Sequence, residues 1–227
     1  MAAALLSTIL AILLALPAAG WAAGPLEERL QHWPDWSLPA PLPRPGRGDL
    51  VYPFWFAGHW SVTERDPDSG RTGDPPLGWE VDFRPDRRGR IVADRAANAA
   101  AIGRALLGPA LLRVEQDPAD PNRQLARLRD GGLLESTVIG RRTEAAGAEG
   151  FLADELSLQV LHGPGDPRVL RVETLSRYKR LADGGIAATQ WQATYPSPAA
   201  GLRARPLASS RHGLRLDPRT PESCPAS

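Results

Sequence analysis

Cysteine and histidine, the usual side chains of disulfides and zinc sites, are scarce in this chain of 227 residues. The only cysteine is Cys224, so neither an internal disulfide nor a two-cysteine redox or metal site can form. No two of the four histidines lie at the i, i+4 spacing of a helical metal pair or the i, i+2 spacing of a strand pair. We therefore predict no metal site and no cofactor.

An excess of charge of one sign is also lacking. The chain has 27 basic and 26 acidic side chains, and its net charge is +1 at pH 7. Binding to nucleic acid or to an anionic membrane surface draws on a clear basic excess, so the sequence argues against both partners. Hydrophobic residues make up 42% of the chain and charged residues 23%, which is typical of a folded globular protein.

The start of the chain lacks charge altogether, because residues 1–24 contain no charged side chain. An apolar run over residues 9–16 is followed by Pro17 and by small residues, which is the layout of a secretory signal peptide. We predict cleavage after Ala22, with a cut after Gly24 or an uncleaved anchor as alternatives. The run is shorter than the roughly 20 apolar residues of a membrane span. No later segment is apolar enough to cross a membrane, so we predict no integral span after cleavage.

Proline and glycine are abundant, with 23 and 22 residues. Many of the prolines lie in residues 23–50, where "PLEERLQHW" predicts one or two helical turns and "PDWSLPAPLPRPGRGDL" predicts an extended segment. We interpret this segment as a tether between the signal and the folded domain, with a proline motif for a partner as the alternative. The domain is predicted to span residues 51–217, and residues 218–227 are predicted to be a disordered tail.

From residue 54 onward, short segments alternate between apolar and polar residues. In "GWEVDFRP", the side chains of Trp79, Val81 and Phe83 share one face, which predicts a half-buried strand. Two "DGG" turns and other short connections separate later strands, so neighbours should pair antiparallel as a meander. The predicted fold is all-β, a meander of about eight to ten strands closed into a barrel, because closure removes exposed edge strands.

One segment predicts a helix, after the third of these strands. "RAANAAAIGRALLGP" is rich in alanine, with Asp94 as a possible N-cap and Gly108-Pro109 as a stop. Ile102 and Leu106 lie one turn apart and should form its apolar stripe. At the helix start, Asp94, Arg95 and Asn98 have two interpretations: a polar cluster at the barrel mouth that orients a ligand, or a helix cap with an ion pair.

The sequence "FAGHW" in the first strand resembles the G-x-W signature of lipocalins and related calycin barrels. The resemblance implies that Trp60 plugs the closed end of the barrel and that Gly58 leaves room for its indole. It also implies that an arginine of the last strand, Arg211 or Arg215 in "SSRHGLRLD", stacks on this indole. Such a cation–π contact contributes roughly 0.5–2 kcal/mol.

Longer blocks of the domain, such as "GRIVADRAANAAAIGRALLG" and "VETLSRYKRL", resemble a family of uncharacterised proteins from cyanobacteria and chloroplasts. This resemblance covers roughly residues 51–217. It implies export to the thylakoid lumen or the periplasm, and it implies no particular activity.

A calycin-like barrel of this size can hold one small ligand, so the expected function is binding or carriage of an apolar molecule such as a pigment, a lipid or a quinone. Two alternatives are an accessory or assembly protein that docks on a photosynthetic membrane complex and a small-molecule barrel enzyme. A haem ligand is a lesser interpretation of His59 or His212. Aromatic side chains on the alternating strands are the candidates to line the interior or mouth: Trp79, Phe83, Tyr178, Trp191 and Tyr195.

Overall fold

Eleven strands and two helices form the described part of the protein. The computed structural model describes residues 23–65 and 76–219, so the predicted signal over residues 1–22 and almost all of the predicted tail lie outside the described residues. The helices are α1 (Pro25–Gln31) and α2 (Arg95–Leu107). The strands are β1 (Val51–Tyr52), β2 (Gly58–Arg65), β3 (Leu77–Pro85), β4 (Ile91–Ala93), β5 (Leu111–Gln116), β6 (Arg123–Leu128), β7 (Leu133–Ala145), β8 (Gly150–His162), β9 (Arg168–Arg180), β10 (Ile186–Pro196) and β11 (Ala208–Pro218).

All of these strands belong to one antiparallel sheet in the order β1-β4-β3-β2-β11-β10-β9-β8-β7-β6-β5. The sheet is a meander curled into a half-barrel, which confirms the predicted all-β class and antiparallel connections. There are eleven strands rather than eight to ten, since the two-residue β1 joins the sheet by pairing with β4. Within the described residues, the terminal strands β1 and β5 do not pair with each other.

Helix α2 contacts both β3 and β5, and so bridges the two halves of the open sheet. It begins as predicted, because the Asp94 side chain accepts a hydrogen bond from the Ala97 amide, and it ends at Gly108, whose φ is +54°. Of the two residues predicted to form its apolar stripe, Ile102 faces the sheet, whereas Leu106 is 63% exposed. The helix instead packs through small residues, and a Cβ at Gly103 would lie 2.6 Å from a methyl carbon of Leu111.

The concave face of the half-barrel holds an aromatic core. Phe56 is fully buried at its centre, with the ring centroids of Tyr52, Phe83 and Tyr178 4.9–5.0 Å away. Trp60 is buried beside this cluster, and its indole Nε1 donates a 2.8 Å hydrogen bond to the carbonyl of Phe56. The indole is therefore part of the aromatic core and is fixed to the backbone of Phe56.

Gly58 is required for its backbone rather than for space. Its φ is +133°, a value that side-chain-bearing residues rarely adopt. A Cβ at this position would meet only Trp60 Nε1, at the ordinary distance of 3.9 Å. The expectation that the missing side chain makes room for the indole is therefore corrected.

The expected arginine stack on Trp60 is not formed, because the arginines lie on the other face of the sheet. Trp60 pairs with Pro218 and Thr63 pairs with Arg215, so alternation points the Trp60 and Arg215 side chains in opposite directions. Arg215 is engaged at the surface by Asp183 and Asp217, at 2.7 and 2.8 Å. Arg211 pairs with Trp191 at the far end of β11.

The proline-rich residues 23–50 are not a free tether. They pack on the convex face of β8, β9 and β10, where Leu26 and Trp36 are fully buried and Leu38 nearly so. Backbone hydrogen bonds fasten the segment, from the amide of Leu38 to the carbonyl of Ala204 and from the amide of Arg141 to the carbonyl of Pro43. Burial of large apolar side chains stabilises such docking by about 1.5–3 kcal/mol each.

A buried ion pair connects this segment to the sheet. Arg29 donates to both carboxylate oxygens of Glu173, at 2.8 and 2.7 Å, and the hydroxyl of Tyr195 donates to the same carboxylate at 2.7 Å. The guanidinium also lies 4.8 Å from the centre of the Trp36 ring. Glu173 of β9 is therefore fully buried beneath residues 23–50 although it is charged.

Asp154 lies on the same convex face and is fully buried. Among the described residues, neither of its carboxylate oxygens has a hydrogen-bond donor. Burial, and next the neighbouring Glu173, raise the pKa of Asp154 well above its ordinary value, while Arg29 opposes the rise. A protonated Asp154 carboxyl can donate a hydrogen bond to the neighbouring carboxylate of Glu173, which gives the buried group a hydrogen-bond partner.

Replacing Gly58 by alanine should destabilise the protein, because alanine cannot adopt a φ of +133° without strain. We expect the free energy of unfolding in urea to fall by about 1–3 kcal/mol. Gly78→Ala on the paired strand is the control, since its added Cβ makes only a 3.5 Å contact and needs no unusual φ. Equal stability of Gly58→Ala and the wild type would contradict the backbone explanation.

Replacing Asp154 by asparagine should stabilise the protein increasingly as pH rises. The folded protein holds the Asp154 proton more tightly than the unfolded chain, so the free energy of unfolding falls from about pH 4. The fall continues up to the pKa of Asp154 in the folded state, with a slope of at most about 1.4 kcal/mol per pH unit. Asparagine does not ionise, so the free energy of unfolding of Asp154→Asn does not fall in this way as pH rises.

The test is urea unfolding of both proteins between pH 4.5 and 8. Asp183→Asn is a matched control, because the hydrogen bond from Arg215 lowers the pKa of this exposed carboxyl. The control should therefore show no gain that grows with pH. A constant difference between Asp154→Asn and the wild type at every pH would show that the Asp154 pKa is not raised.

Candidate functional site

A partly open cavity of about 240 Å³ lies on the concave side of the half-barrel, between the sheet and helix α2. Its wall is largely apolar. Trp79 and Phe83 come from β3 and face inward with Val81, as their alternation in the sequence predicts. The remaining apolar wall comes from β2, β4, α2 and β11 and includes Val62, Ala93, Ala99, Ile102, Leu214 and Leu216.

Uncharged polar side chains line the cavity from β6, β9 and β10. Tyr178 and Gln190 face it from neighbouring strands, and the Gln190 amide donates to the Ser176 hydroxyl at 3.1 Å. Burial raises the pKa of the Tyr178 phenol and raises that of Tyr52 well above its ordinary value. Gln124 lines the cavity from β6, and its amide nitrogen is buried.

Arg95 and Glu155 are the charged residues of the described lining. As the first residue of α2, Arg95 extends across the cavity to β8, where its two terminal nitrogens each lie 3.2 Å from a Glu155 carboxylate oxygen. Arg95 also lies 3.4 Å from Asp49, and Arg141 donates to Glu155 at 2.7 Å. The cluster of Arg95, Arg141, Asp49 and Glu155 therefore has two charges of each sign.

The pKa directions of this cluster follow from burial and pairing. Burial alone would raise the pKa of Glu155, but Arg95 and Arg141 bring it below its ordinary value. Burial opposes the charge of Arg95, yet Glu155 and Asp49 raise its pKa above the usual value. The Arg95–Glu155 pair is therefore ionised at neutral pH, whereas burial raises the pKa of Asp49.

Two buried hydrogen-bond donors of the cavity lining have no acceptor among the described residues. These atoms are Nε of Arg95 and Nε2 of Gln124. Leaving a buried donor without an acceptor costs about 1–3 kcal/mol, so native proteins seldom retain one unless water or a ligand supplies the acceptor. The two donors mark the polar part of an otherwise apolar cavity.

The structure divides the predicted ligand-contacting aromatic residues into two groups. Trp79, Phe83 and Tyr178 line the cavity. Trp191 and Tyr195 do not, because they lie on the convex face, where Tyr195 is fully buried against Glu173. The register explains the division: Tyr178 pairs with Ala188, so the odd-numbered residues of β10 point away from it.

Two residues of the predicted polar cluster of Asp94, Arg95 and Asn98 make contacts that hold helix α2 in place. Asp94 caps the helix and lies 2.8 Å from Arg84. The Asn98 amide both donates to and accepts from the backbone of Asp82 and thereby holds α2 on β3. Both Arg95 and Asn98 line the cavity.

The histidines considered as haem ligands do not line the cavity. His59 lies at the surface, 3.2 Å from Glu80, and His212 lies 2.6 Å from Glu64. No group of three or more histidine, cysteine, aspartate or glutamate side chains in residues 23–65 and 76–219 could hold a metal ion. Over the same residues, no helix is both long and apolar enough to span a membrane.

Four residues in or beside the cavity were not predicted from the sequence: Glu155, Gln124, Tyr52 and Asp49. The sequence did contain a signal for Glu155, which follows Asp154 inside the apolar run "FLADELSLQV". Two adjacent acids lie on opposite faces of a strand, so one of them must face the concave side. Gln124 and Asp49 had none, because each belongs to a polar stretch that is typical of a turn or an exposed strand end.

Comparison with known proteins gives one result. A family model described as Domain of unknown function (DUF6816) matches residues 67–219. No curated protein and no solved structure matches the chain. The match covers about two thirds of the chain, including nearly all of the cavity lining. The chain therefore belongs to the DUF6816 family of domains of unknown function.

Proposed function

We propose that the protein binds one small, largely apolar molecule in the cavity of the half-barrel, as a binding or carrier protein. An apolar wall with a few polar groups at one place is the usual composition of ligand pockets. The observation that carries the proposal is the pair of buried donors, Arg95 Nε and Gln124 Nε2, in this apolar surrounding. Acceptor atoms of a bound molecule would satisfy these donors.

The size of the cavity limits the ligand. Its volume of about 240 Å³ lies below the roughly 300–1,000 Å³ of typical ligand pockets. Of the ligands that the fold resemblance implies, the ring of a quinone or a short acyl chain therefore fits better than a whole pigment. A longer tail would leave through the open side.

The cavity is poorly suited to acid–base catalysis, which argues against the enzyme alternative. General acids and bases work best with a pKa near the operating pH. In the described lining, pairing with arginines lowers the pKa of Glu155, and burial raises those of Tyr52 and Tyr178. These shifts move each group away from neutrality.

Three exposed leucines favour a second candidate, docking on a membrane complex as an accessory protein. Leu106 and Leu107 end helix α2 and Leu112 is the second residue of β5, and they are 63%, 49% and 53% exposed. A patch of exposed apolar side chains is typical of a protein contact. Serine at all three positions should abolish co-purification with a photosynthetic complex if this candidate is correct.

Export to the thylakoid lumen or the periplasm is also part of the proposal. It is supported by the uncharged, apolar residues 1–24 and by the resemblance to lumenal proteins of cyanobacteria and chloroplasts. The mature protein should begin at residue 23 or 25, which N-terminal sequencing of the natural protein would show.

Filling the cavity should abolish ligand binding. The probe is N-phenyl-1-naphthylamine, a neutral compound that becomes fluorescent in apolar surroundings. Ala99 lines the cavity from α2, so Ala99→Phe should weaken binding of the probe by about tenfold or more, measured by fluorescence titration. The matched control is Ala97→Phe, because Ala97 is exposed on the same helix. Equal affinity of both variants and the wild type would place the binding site elsewhere.

A further inference from the structure

The cavity lining contains buried hydrogen-bond donors, and the charges around them determine which kind of acceptor fits. Arg95 uses its terminal nitrogens on Glu155 and Asp49, so Nε is the part of the guanidinium left for a ligand. Gln124 also lines the cavity, and its buried amide nitrogen has no acceptor among the described residues. Both free atoms are donors, so the complementary ligand atom is an acceptor.

A charged acceptor fits this site poorly. Both Arg95 and Arg141 already have the ionised Glu155 as a partner, at 3.2 and 2.6 Å, and Arg95 also contacts Asp49 at 3.4 Å. A carboxylate or phosphate would add an uncompensated negative charge beside Glu155, and burying such a charge is costly. An uncharged oxygen receives both hydrogen bonds without this penalty.

The remaining lining indicates the rest of the ligand. The apolar wall holds the rings of Trp79 and Phe83, and the rings of Tyr52 and Tyr178 complete an aromatic surround. Aromatic side chains pack well against flat rings, in offset or edge-to-face contacts. The volume of about 240 Å³ allows one or two fused rings.

We propose that the ligand is an uncharged aromatic or quinone-like carbonyl compound that accepts hydrogen bonds from the buried donors of the cavity lining, Arg95 Nε and Gln124 Nε2. This inference rests on the proposed binding function and adds the chemical class of the ligand. A neutral carbonyl compound should bind more tightly than a carboxylate of the same shape, because the carboxylate would add a buried negative charge beside Glu155.

Three isosteric compounds test the proposal by displacing N-phenyl-1-naphthylamine from the full chain: 1-acetonaphthone, 1-naphthoate and 1-isopropylnaphthalene. They share the ring and differ in a neutral carbonyl, a carboxylate and no acceptor. We expect 1-acetonaphthone to bind about tenfold more tightly than 1-isopropylnaphthalene, since it accepts from a charged donor. We expect 1-naphthoate to bind more weakly than 1-acetonaphthone.

The variant Gln124→Met tests whether the preference for 1-acetonaphthone over 1-isopropylnaphthalene arises in the cavity. Methionine fills a similar volume without a donor, so the preference for 1-acetonaphthone over 1-isopropylnaphthalene should fall several-fold while binding of 1-isopropylnaphthalene is retained. The control is Gln192→Met, because Gln192 donates to Thr174 and does not line the cavity. Urea unfolding verifies that both variants are folded.

The outcomes separate the two proposals. If neither the probe nor any of the three compounds binds, the proposed binding function fails. If the probe binds but the three compounds compete equally, or 1-naphthoate competes best, the binding function stands and the carbonyl proposal is overturned. An unchanged preference in Gln124→Met also overturns it.

Discussion

The carboxylate of Glu155 is the contact on which the arrangement of the cavity depends. It receives hydrogen bonds from Arg95 at the start of α2 and from Arg141 on β7, and Arg95 also contacts Asp49 in the N-terminal segment. Removing one partner of a buried ion pair typically costs about 3–5 kcal/mol, because the other charge remains buried. The same contact occupies the two terminal nitrogens of Arg95, whereas its Nε has no acceptor among the described residues.

Neighbouring acids on β8 show how one strand supports two different environments. Asp154 and Glu155 point to opposite faces, and both faces are covered, one by residues 23–50 and the other by α2. Glu155 meets two guanidinium groups and its pKa is lowered, whereas Asp154 meets Glu173 and its pKa is raised. The central strands are therefore partly buried on both sides, which explains why Arg171 and Glu173 of β9 are buried while Arg177 and Lys179 on the same face are exposed.

The candidate site was only partly predictable from sequence. Alternation placed Trp79 and Phe83 on one face, and the cap of α2 placed Arg95 near the mouth, since both follow from local rules. Trp191 and Tyr195 were assigned to the interior, but alternation orders residues within one strand and does not say which face is concave. Gln124 and Asp49 could not be predicted, because their neighbours in the cavity come from distant parts of the chain.

Sequence alone determined the all-β class, the antiparallel meander and the position and ends of α2, because periodicity, turn residues and capping act over a few residues. It also determined that no disulfide can form, since there is one cysteine. Only the tertiary structure decided that the sheet stays a half-barrel bridged by α2, that residues 23–50 dock on the convex face, and that Arg95, Gln124 and Glu155 share one cavity. These features depend on strand register and curvature, which bring together side chains from far apart in the chain.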